Sequence, residues 1–356
     1  MYQKIHDHLV QIEYTLTLEE VQQLAASPDL RIIQCAEVLE PAAWKLLNEH
    51  LFPVRQDILL RLYGFYDSVC DLGVLEILPQ LTRLSVECEG EFQHLDAVAA
   101  LPKLVQLQLS LTQLTDLDIL ERIPSALEHL HIGRTQSRRP DLQVLARFQQ
   151  LHHLHIEGHH KGIEVISQLS QLKQLTLQSI TVPDLQLVQP LCNLDQLIIR
   201  LGGIRDLSAL DNNRSIRYLE LSQIKGLEDI SVISSLTGLQ YLFLQALPHI
   251  YALPSFSGLH YLRKVALENM KGLRDISTLE YAPALIEFTH REAWEMKVEA
   301  YEPLLRNPSL QRVYSKLKTP KKMQQLRQRM IYHNKKDALE EYEQGRTSWW
   351  DTFPVQ

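Results

Sequence analysis

Aliphatic residues recur along this chain in a six-residue pattern whose first, fourth and sixth positions are apolar. Leu81, Leu84 and Val86 form one copy; Leu104, Leu107 and Leu109, then Leu127, Leu130 and Ile132, then Leu151, Leu154 and Ile156 form the next three. Further copies begin at Leu172, Leu194, Ile216, Leu239, Leu262 and Leu285, so successive starts lie 23, 23, 24, 21, 22, 22, 23, 23 and 23 residues apart. Degenerate copies begin at Leu59 and Leu310, with a weaker one at Leu30. Alternation within each copy predicts a short strand, with the second and third aliphatic side chains inward and the residues between them outward.

About a dozen residues after each strand a second apolar series runs at a spacing of three, as in Leu72, Leu75 and Leu78, or Ile230, Ile233 and Leu236. That spacing suits a 3-10 turn or short helix packed on the same core. Asp71, Asp116, Asp141, Asp184, Asp206, Asp229 and Asp275 stand at the heads of these series. A carboxylate there accepts from the free N–H groups of the turn it starts, which predicts a cap rather than a catalyst or metal ligand.

The run IKGLEDISVISSLTGLQYLFLQ, residues 224–245, is the clearest copy, and ten copies in phase cover roughly residues 55–290. The chain resembles the leucine-rich-repeat superfamily, in the short-repeat class of the bacterial internalins. The resemblance implies an α/β fold: a solenoid with a parallel β-sheet on its concave face, 3-10 turns or short helices on its convex side, and helical caps. The sequence departs from the family at the turn after the strand, where the usual Asn is replaced by Thr112, Thr135, His159, Ile180, Gly202, Ile224, Leu247 and Met270. A continuous asparagine ladder is therefore absent, and the later turns are expected to close by apolar packing.

One repeat cannot bury its own apolar face, so both ends need covers. Residues 1–54 are expected to form a helical cap and degenerate first repeat, 55–290 the repeats, and 291–356 a C-terminal cap with a basic helix. Thr17 and Glu20 ahead of Val21 and Leu24 read as a capping box, and Pro41–Phe52 as a second helix. A C-terminal helix is predicted from about Pro320 to Gln344, with Met323, Leu326 and Met330 on one face, and the last residues, including Trp349 and Trp350, are expected to fold back onto the C-terminal end.

Outward strand positions are where repeat proteins usually bind. Early strands place Arg61, Tyr63, Phe65, Arg83 and Glu87 there; middle strands place Gln106, Gln108, His129, His131, His153, His155 and Glu157. Later strands add Ile198, Arg200, Tyr218, Glu220, Tyr241, Phe243, Lys264, Glu268, Glu287 and Arg291. Tyr218, Tyr241, Phe243 and Ile198 make an apolar, aromatic group expected to face solvent. Exposed clusters of that kind often anchor partners, although the C-terminal segment could instead cover them. The expected partner-binding residues are these four with Arg200, Glu220, His131, His153, His155, Arg83 and Tyr63. The alternative is a metal site at His129, His131, His153 and His155, near His152, His159 and His160. It lacks an obvious carboxylate or cysteine, and alternate residues on one strand stand about 6.6–7 Å apart.

Charge and cysteines refine this reading. The net charge is -7, but eight Lys or Arg and no acid lie between Ser315 and Lys336, which leaves 28 basic against 43 acidic residues, or -15, elsewhere. An acidic body favours a basic partner through long-range steering, such as a cationic toxin, an enzyme to be inhibited or a component to be scaffolded. The basic stretch reads as a solvated helix face balanced by Glu340, Glu341 and Glu343, because no aromatic platform for nucleic acid accompanies it. Cys35, Cys70, Cys88 and Cys192 are far apart, as expected of free thiols in a reducing compartment. No secretory h-region or membrane-length apolar run is present, and GxSxG, P-loop, HExxH and GxGxxG motifs are missing. The expectation is a cytoplasmic, non-catalytic protein-binding module, without a cofactor, away from membranes and nucleic acid, and monomeric when free.

Overall fold

The computed structural model describes residues 2–65, 69–136 and 140–339. The chain divides into two compact units, residues 1–172 and 173–356. Its architecture is a leucine-rich repeat: parallel strands alternate with 3-10 turns, and helices lie near the ends.

In the first unit, β1 (Tyr2–His6) and β2 (Leu9–Ile12) form an antiparallel hairpin. Parallel strands follow: β3 (Ile32–Cys35), β4 (Leu59–Gly64), β6 (Arg83–Cys88), β8 (Gln106–Leu111), β9 (His129–Ile132) and β10 (His153–Glu157). A small separate ladder pairs β5 (Cys70–Asp71) with β7 (Phe92–Gln93). Strands after Leu30 and Leu59 bear out the degenerate copies, and the hairpin adds a strand pair ahead of the cap helix. Helix α1 (Leu18–Ala26) begins at the expected box: Glu20 N donates to Thr17 Oγ1 and Thr17 N donates to Glu20 Oε2. Helix α2 (Pro41–Leu46) passes into a π turn, Leu47–Leu51, and buries Ala43, Trp44, Leu47 and Leu51.

The second unit is a parallel ladder of β11 (Gln174–Gln178), β12 (Gln196–Arg200), β13 (Tyr218–Ser222), β14 (Tyr241–Gln245), β15 (Lys264–Glu268), β16 (Glu287–Ala293), β17 (Arg312–Leu317) and β18 (Lys336–Asp337). Register follows the repeat, with Leu219 opposite Leu242 and Leu242 opposite Val265. These inward positions are sealed: Leu219, Leu221, Leu242, Leu244, Val265 and Leu267 are at most 1% exposed. Each such side chain contributes about 1.5–3 kcal/mol by leaving water, which only stacking against the next repeat can realise.

The seven aspartates do cap the turns. Asp71, Asp116, Asp141, Asp184, Asp206, Asp229 and Asp275 each accept from the N–H two residues on, at 2.7–3.1 Å. The substituted asparagine positions divide by chemistry. Thr112 Oγ1 donates to Glu89 O at 2.8 Å, and a ring nitrogen of buried His159 lies 3.2 Å from Gly133 O, whereas Ile180, Ile224, Leu247 and Met270 are buried apolar plugs. In the second unit Ser179, Leu201, Gln223, Ala246, Asn269 and Glu292, at intervals of 22 or 23 residues, all adopt positive φ between 48° and 56°. The first five follow directly on their strands, and each donates its N–H to a carbonyl at or near the end of the next strand, Arg200, Ser222, Gln245, Glu268 and Arg291 in turn, at 2.8–3.0 Å.

Toward the C-terminus, α3 (Glu302–Arg306) precedes β17, and α4 (Pro320–Tyr332) buries Leu326 and Met330. Helix α4 is shorter than predicted. Lys335 N bonds Met330 O, Asn334 takes positive φ, and the chain then enters β18 instead of continuing as helix. Glu340, Glu341, Glu343, Trp349 and Trp350 lie outside the described residues. Within the described residues the basic stretch meets further partners: Arg329 meets Glu299 and Glu302, Arg327 meets Asp337, and Lys335 Nζ donates to Asn307 O and Leu310 O. Among the described residues, no helix is long and apolar enough to cross a membrane.

Candidate protein-binding faces

The strand faces turned away from the 3-10 turns differ between the two units. On the first, Arg61, Tyr63, Arg83, Gln106, Gln108, His129, His131, His153, His155 and Glu157 are all half-buried and reachable. Phe65 does not join them. It sits at φ 54°, just past β4, and the kink turns its ring inward to 4% exposure.

A cross-strand polar chain holds the early part of this face. Tyr63 Oη and Gln34 Nε2 donate to Gln11 Oε1 at 2.8 and 2.9 Å, and Arg61 donates to Gln34 Oε1 at 2.9 Å. Arg61 also grips Glu87 with two bonds of 2.8 and 2.5 Å, and Ser85 Oγ donates to the same carboxylate at 2.8 Å. Burial works to raise the Glu87 carboxyl, but Arg61 and Ser85 outweigh it and hold the group below its ordinary value. The Arg61 guanidinium lies 4.7 Å above the Tyr63 ring, an arrangement that fixes both side chains. Nearby, Arg83 donates to Gln106 Oε1 at 2.8 Å.

His153 registers with His129, and His155 with His131. Side chains directly opposite on neighbouring strands are close enough to stack, and they do: the His131 and His155 centroids are 3.9 Å apart with planes 7° from parallel, and His129 and His153 are 4.2 Å apart at 22°. Burial, with the nearby His153 charge second, lowers His129 to about 4; burial also lowers His131, opposed by Glu157 and Glu87. His129 and His131 are thereby neutral at pH 7.

Stacking counts against the metal alternative. Imidazole lone pairs lie in the ring plane, so near-parallel rings aim them along separate planes instead of at one ion about 2.0–2.1 Å from each nitrogen. Among the described residues no group of three or more His, Cys, Asp or Glu is arranged to hold a metal ion. Beside the stacks, Arg61, Tyr63 and Glu87 share an open recess with Glu89, Ser110, Thr112, Arg134 and Glu157. Glu89, Thr112 and Arg134 belong to the turns, so an inventory of strand positions passes over them.

On the second unit the expected exposure of the aromatic group is not met. Ile198 is 8%, Tyr218 9%, Phe243 4% and Glu220 3% exposed, while Tyr241 and Arg200 are half-buried. Side chains bridge the strands: Arg200 donates to Glu220 at 2.5 and 3.0 Å, and Tyr218 Oη donates to the same carboxylate at 2.9 Å. Burial first, and the Glu220 charge second, push the Tyr218 phenol upward. Further along, Ser222 bonds Gln245, Gln245 bonds Glu268, and Glu287 pairs with both Lys264 at 2.7 Å and Arg312 at 2.9 Å. Lys264 and Glu287, 4% and 5% exposed, were expected as open surface. On the 3-10 side of this unit a groove lies between the turns headed by Asp206 and Asp229. Their carboxylates are already engaged in capping.

No protein-family model matches the chain, and no curated protein matches it. Solved structures do. An internalin of Listeria monocytogenes, InlF, aligns with TM-score 0.60 at 18% identity over 88% of this chain and 87% of that one. TLR13, in its complex with ssRNA13, aligns with TM-score 0.51 at 15% identity over 86% of this chain and 50% of that one. A leucine-rich-repeat protein of Leptospira interrogans gives 0.47 at 16% over 92% and 99%. Identities this low speak to fold alone. Repeat period, strand ladder and alignment to InlF agree that this chain has a leucine-rich-repeat fold resembling the Listeria internalins.

Proposed function

We propose that this chain is a non-catalytic module that binds a protein partner on the strand face of its first unit, in the cytoplasm. Leucine-rich repeats generally serve protein binding, and the observation that carries the location is accessibility. Tyr63, the Arg61–Glu87 pair and the stacked histidines stand half-open on their ladder, whereas Ile198, Tyr218, Glu220, Phe243, Lys264 and Glu287 of the second unit are buried. Rings held by stacking and by cross-strand bonds lose little rotamer freedom on binding, so more of their contact energy reaches the complex. A basic partner is supported by the net charge of -7, of which the chain outside its basic stretch carries -15. The free thiols Cys35, Cys70, Cys88 and Cys192 support the reducing setting.

Affinity capture with the wild-type chain, beside Tyr63→Ala/His131→Ala and Tyr241→Ala/Phe243→Ala, tests the proposal. One stoichiometric partner should bind the wild type and weaken by about 2 kcal/mol, or roughly 30-fold, with the first variant. Retention of that partner at unchanged affinity by Tyr63→Ala/His131→Ala overturns it, and loss with the second variant alone moves the site to the other unit.

A further inference from the structure

Part of the strand face of the second unit, around Phe243, Ala266 and Thr289, is closed where the repeat alone leaves it open. Ala266 is 0% exposed, Phe243 and Lys264 4%, Glu287 5%, and Thr289 and Ser222 2%. All occupy outward positions: Phe243 registers with Ala266, and Ala266 with Thr289, while the residues between them in sequence form the core. An alanine has no bulk with which to cover itself. The described elements packed against β14 and β15 are chiefly the strands on either side.

Chemistry of this face is graded. Toward β13 and β14 it is aromatic, with Tyr218, Tyr241 and Phe243. Toward β18 it is cationic: outward positions of β15–β18 carry Lys264, Arg291, Arg312, Lys316 and Lys336 against Glu268 and Glu287, five cations to two carboxylates. The described chain runs to Leu339, two residues beyond β18 at this cationic edge. The sequence continues for 17 residues bearing Glu340, Glu341, Glu343 and Asp351 against one Arg346, and then Trp349, Trp350 and Phe353. Its order follows the face for three of the four acids: Glu340, Glu341 and Glu343 come nearest the cationic edge and Trp349 and Trp350 farther on, with Asp351 after them. Four strand steps from β18 to β14 span roughly 19 Å, and 17 residues can extend to about 56 Å.

We propose that residues 340–356 of the same chain dock on the strand face of the second unit, Glu340, Glu341 and Glu343 against the Lys264–Lys336 end and the tryptophans against the Tyr218–Tyr241–Phe243 band. The segment then acts as an internal ligand: another protein reaches that face only by displacing it.

Zero-length carbodiimide cross-linking of an equal mixture of unlabelled and ¹⁵N-labelled wild-type chain tests this, alongside hydroxyl-radical footprinting of Trp349→Ala/Trp350→Ala and Trp349→Phe/Trp350→Phe. Cross-links from Glu340, Glu341 or Glu343 to Lys264, Lys316 or Lys336 are expected within single chains. Oxidation of Tyr241 and Phe243 should rise several-fold in the alanine variant and return toward wild type in the phenylalanine variant, while Tyr63 in the first unit is unchanged. Mixed-label pairs making up about half of these cross-links, the statistical share for links between copies, identify a second copy as the occupant and overturn the proposal, as does unchanged oxidation of Tyr241 and Phe243 in the folded alanine variant. The cross-linking arm needs no substitution, so it decides the matter even if that variant fails to fold. Tyr63→Ala/His131→Ala leaves this segment's chemistry untouched, so the two proposals can fail separately.

Discussion

Acidification should weaken the fold through the stacked imidazoles, and His129 is the ring on which the effect can be sized. Its folded-state value of about 4 lies below the roughly 6.5 of a free imidazole, so between those values unfolding takes up a proton. Stability is therefore fully present above about pH 6.5 and is lost as pH falls toward 4. Between pH 7.5 and 5.0 the difference in proton uptake corresponds to about 2 kcal/mol; the ring is only half-buried, and solvent screening reduces this to about 1 kcal/mol. A second proton on the stack is opposed by neighbouring His153, whose centroid is 4.2 Å away. Two full charges at that separation repel by about 4 kcal/mol at an effective dielectric of 20. Urea unfolding of wild type and His129→Gln at pH 7.5 and 5.0 measures the effect. The stability difference between the two proteins should shift by about 1 kcal/mol against wild type at the lower pH. Parallel pH dependences would refute the assignment of a depressed, neutral His129.

Glu287, 5% exposed, holds both Lys264 and Arg312, so Glu287→Ala, which takes the carboxylate from two cations, should destabilise by about 3 kcal/mol and Lys264→Met/Glu287→Leu by less; a double-mutant cycle in denaturant checks this, and a Glu287→Ala cost under about 0.5 kcal/mol sinks it. Asn307 donates to Leu279 O and Ala282 O and accepts from Ser309 N and Leu310 N while 1% exposed. Asn307→Ala should thus cost about 2–4 kcal/mol, read as a lower urea midpoint. A Cβ on Gly238 would collide with Arg214 O of the preceding repeat; Gly238→Ala should lower thermal stability by about 1–3 kcal/mol, and an unchanged melting temperature would show that the turn can give way.

Architecture was legible in the sequence because its signal is repeated. An error at one strand is corrected by the others, and Leu59 and Leu310 were recoverable by phase alone. The aspartate caps were legible for the same reason. The α4 boundary was not: no Pro or Gly marks the stop at Tyr332, which is made by Asn334 turning to positive φ before β18. Phe65 was misplaced because alternation carries on through a sequence after the backbone has kinked. The histidine stacks followed from period and register, but stacking in place of convergence depends on ring rotation, which spacing does not encode. Closure of the second unit's face was least visible, since outward polarity at Lys264, Glu220 and Glu287 resembles solvent exposure whether or not the charges are paired.

The positive-φ residues that close the strands of the second unit set the step in which the protein can change length. Each of Ser179, Leu201, Gln223, Ala246 and Asn269 is bonded through its N–H to a carbonyl at or near the end of the following strand, so the kink belongs to a pair of repeats rather than to one. Such a backbone costs an L-residue about 1–2 kcal/mol, and it persists because the next strand holds it. Deleting half a repeat leaves one kink without its receiving carbonyl and turns aliphatic side chains toward the wrong face. Deleting or duplicating a stretch such as residues 224–245 returns every kink to a partner in register. Growth and loss of this ladder are quantised in single repeats, and its capacity to present new surface can change by insertion of modules without redesign of the core.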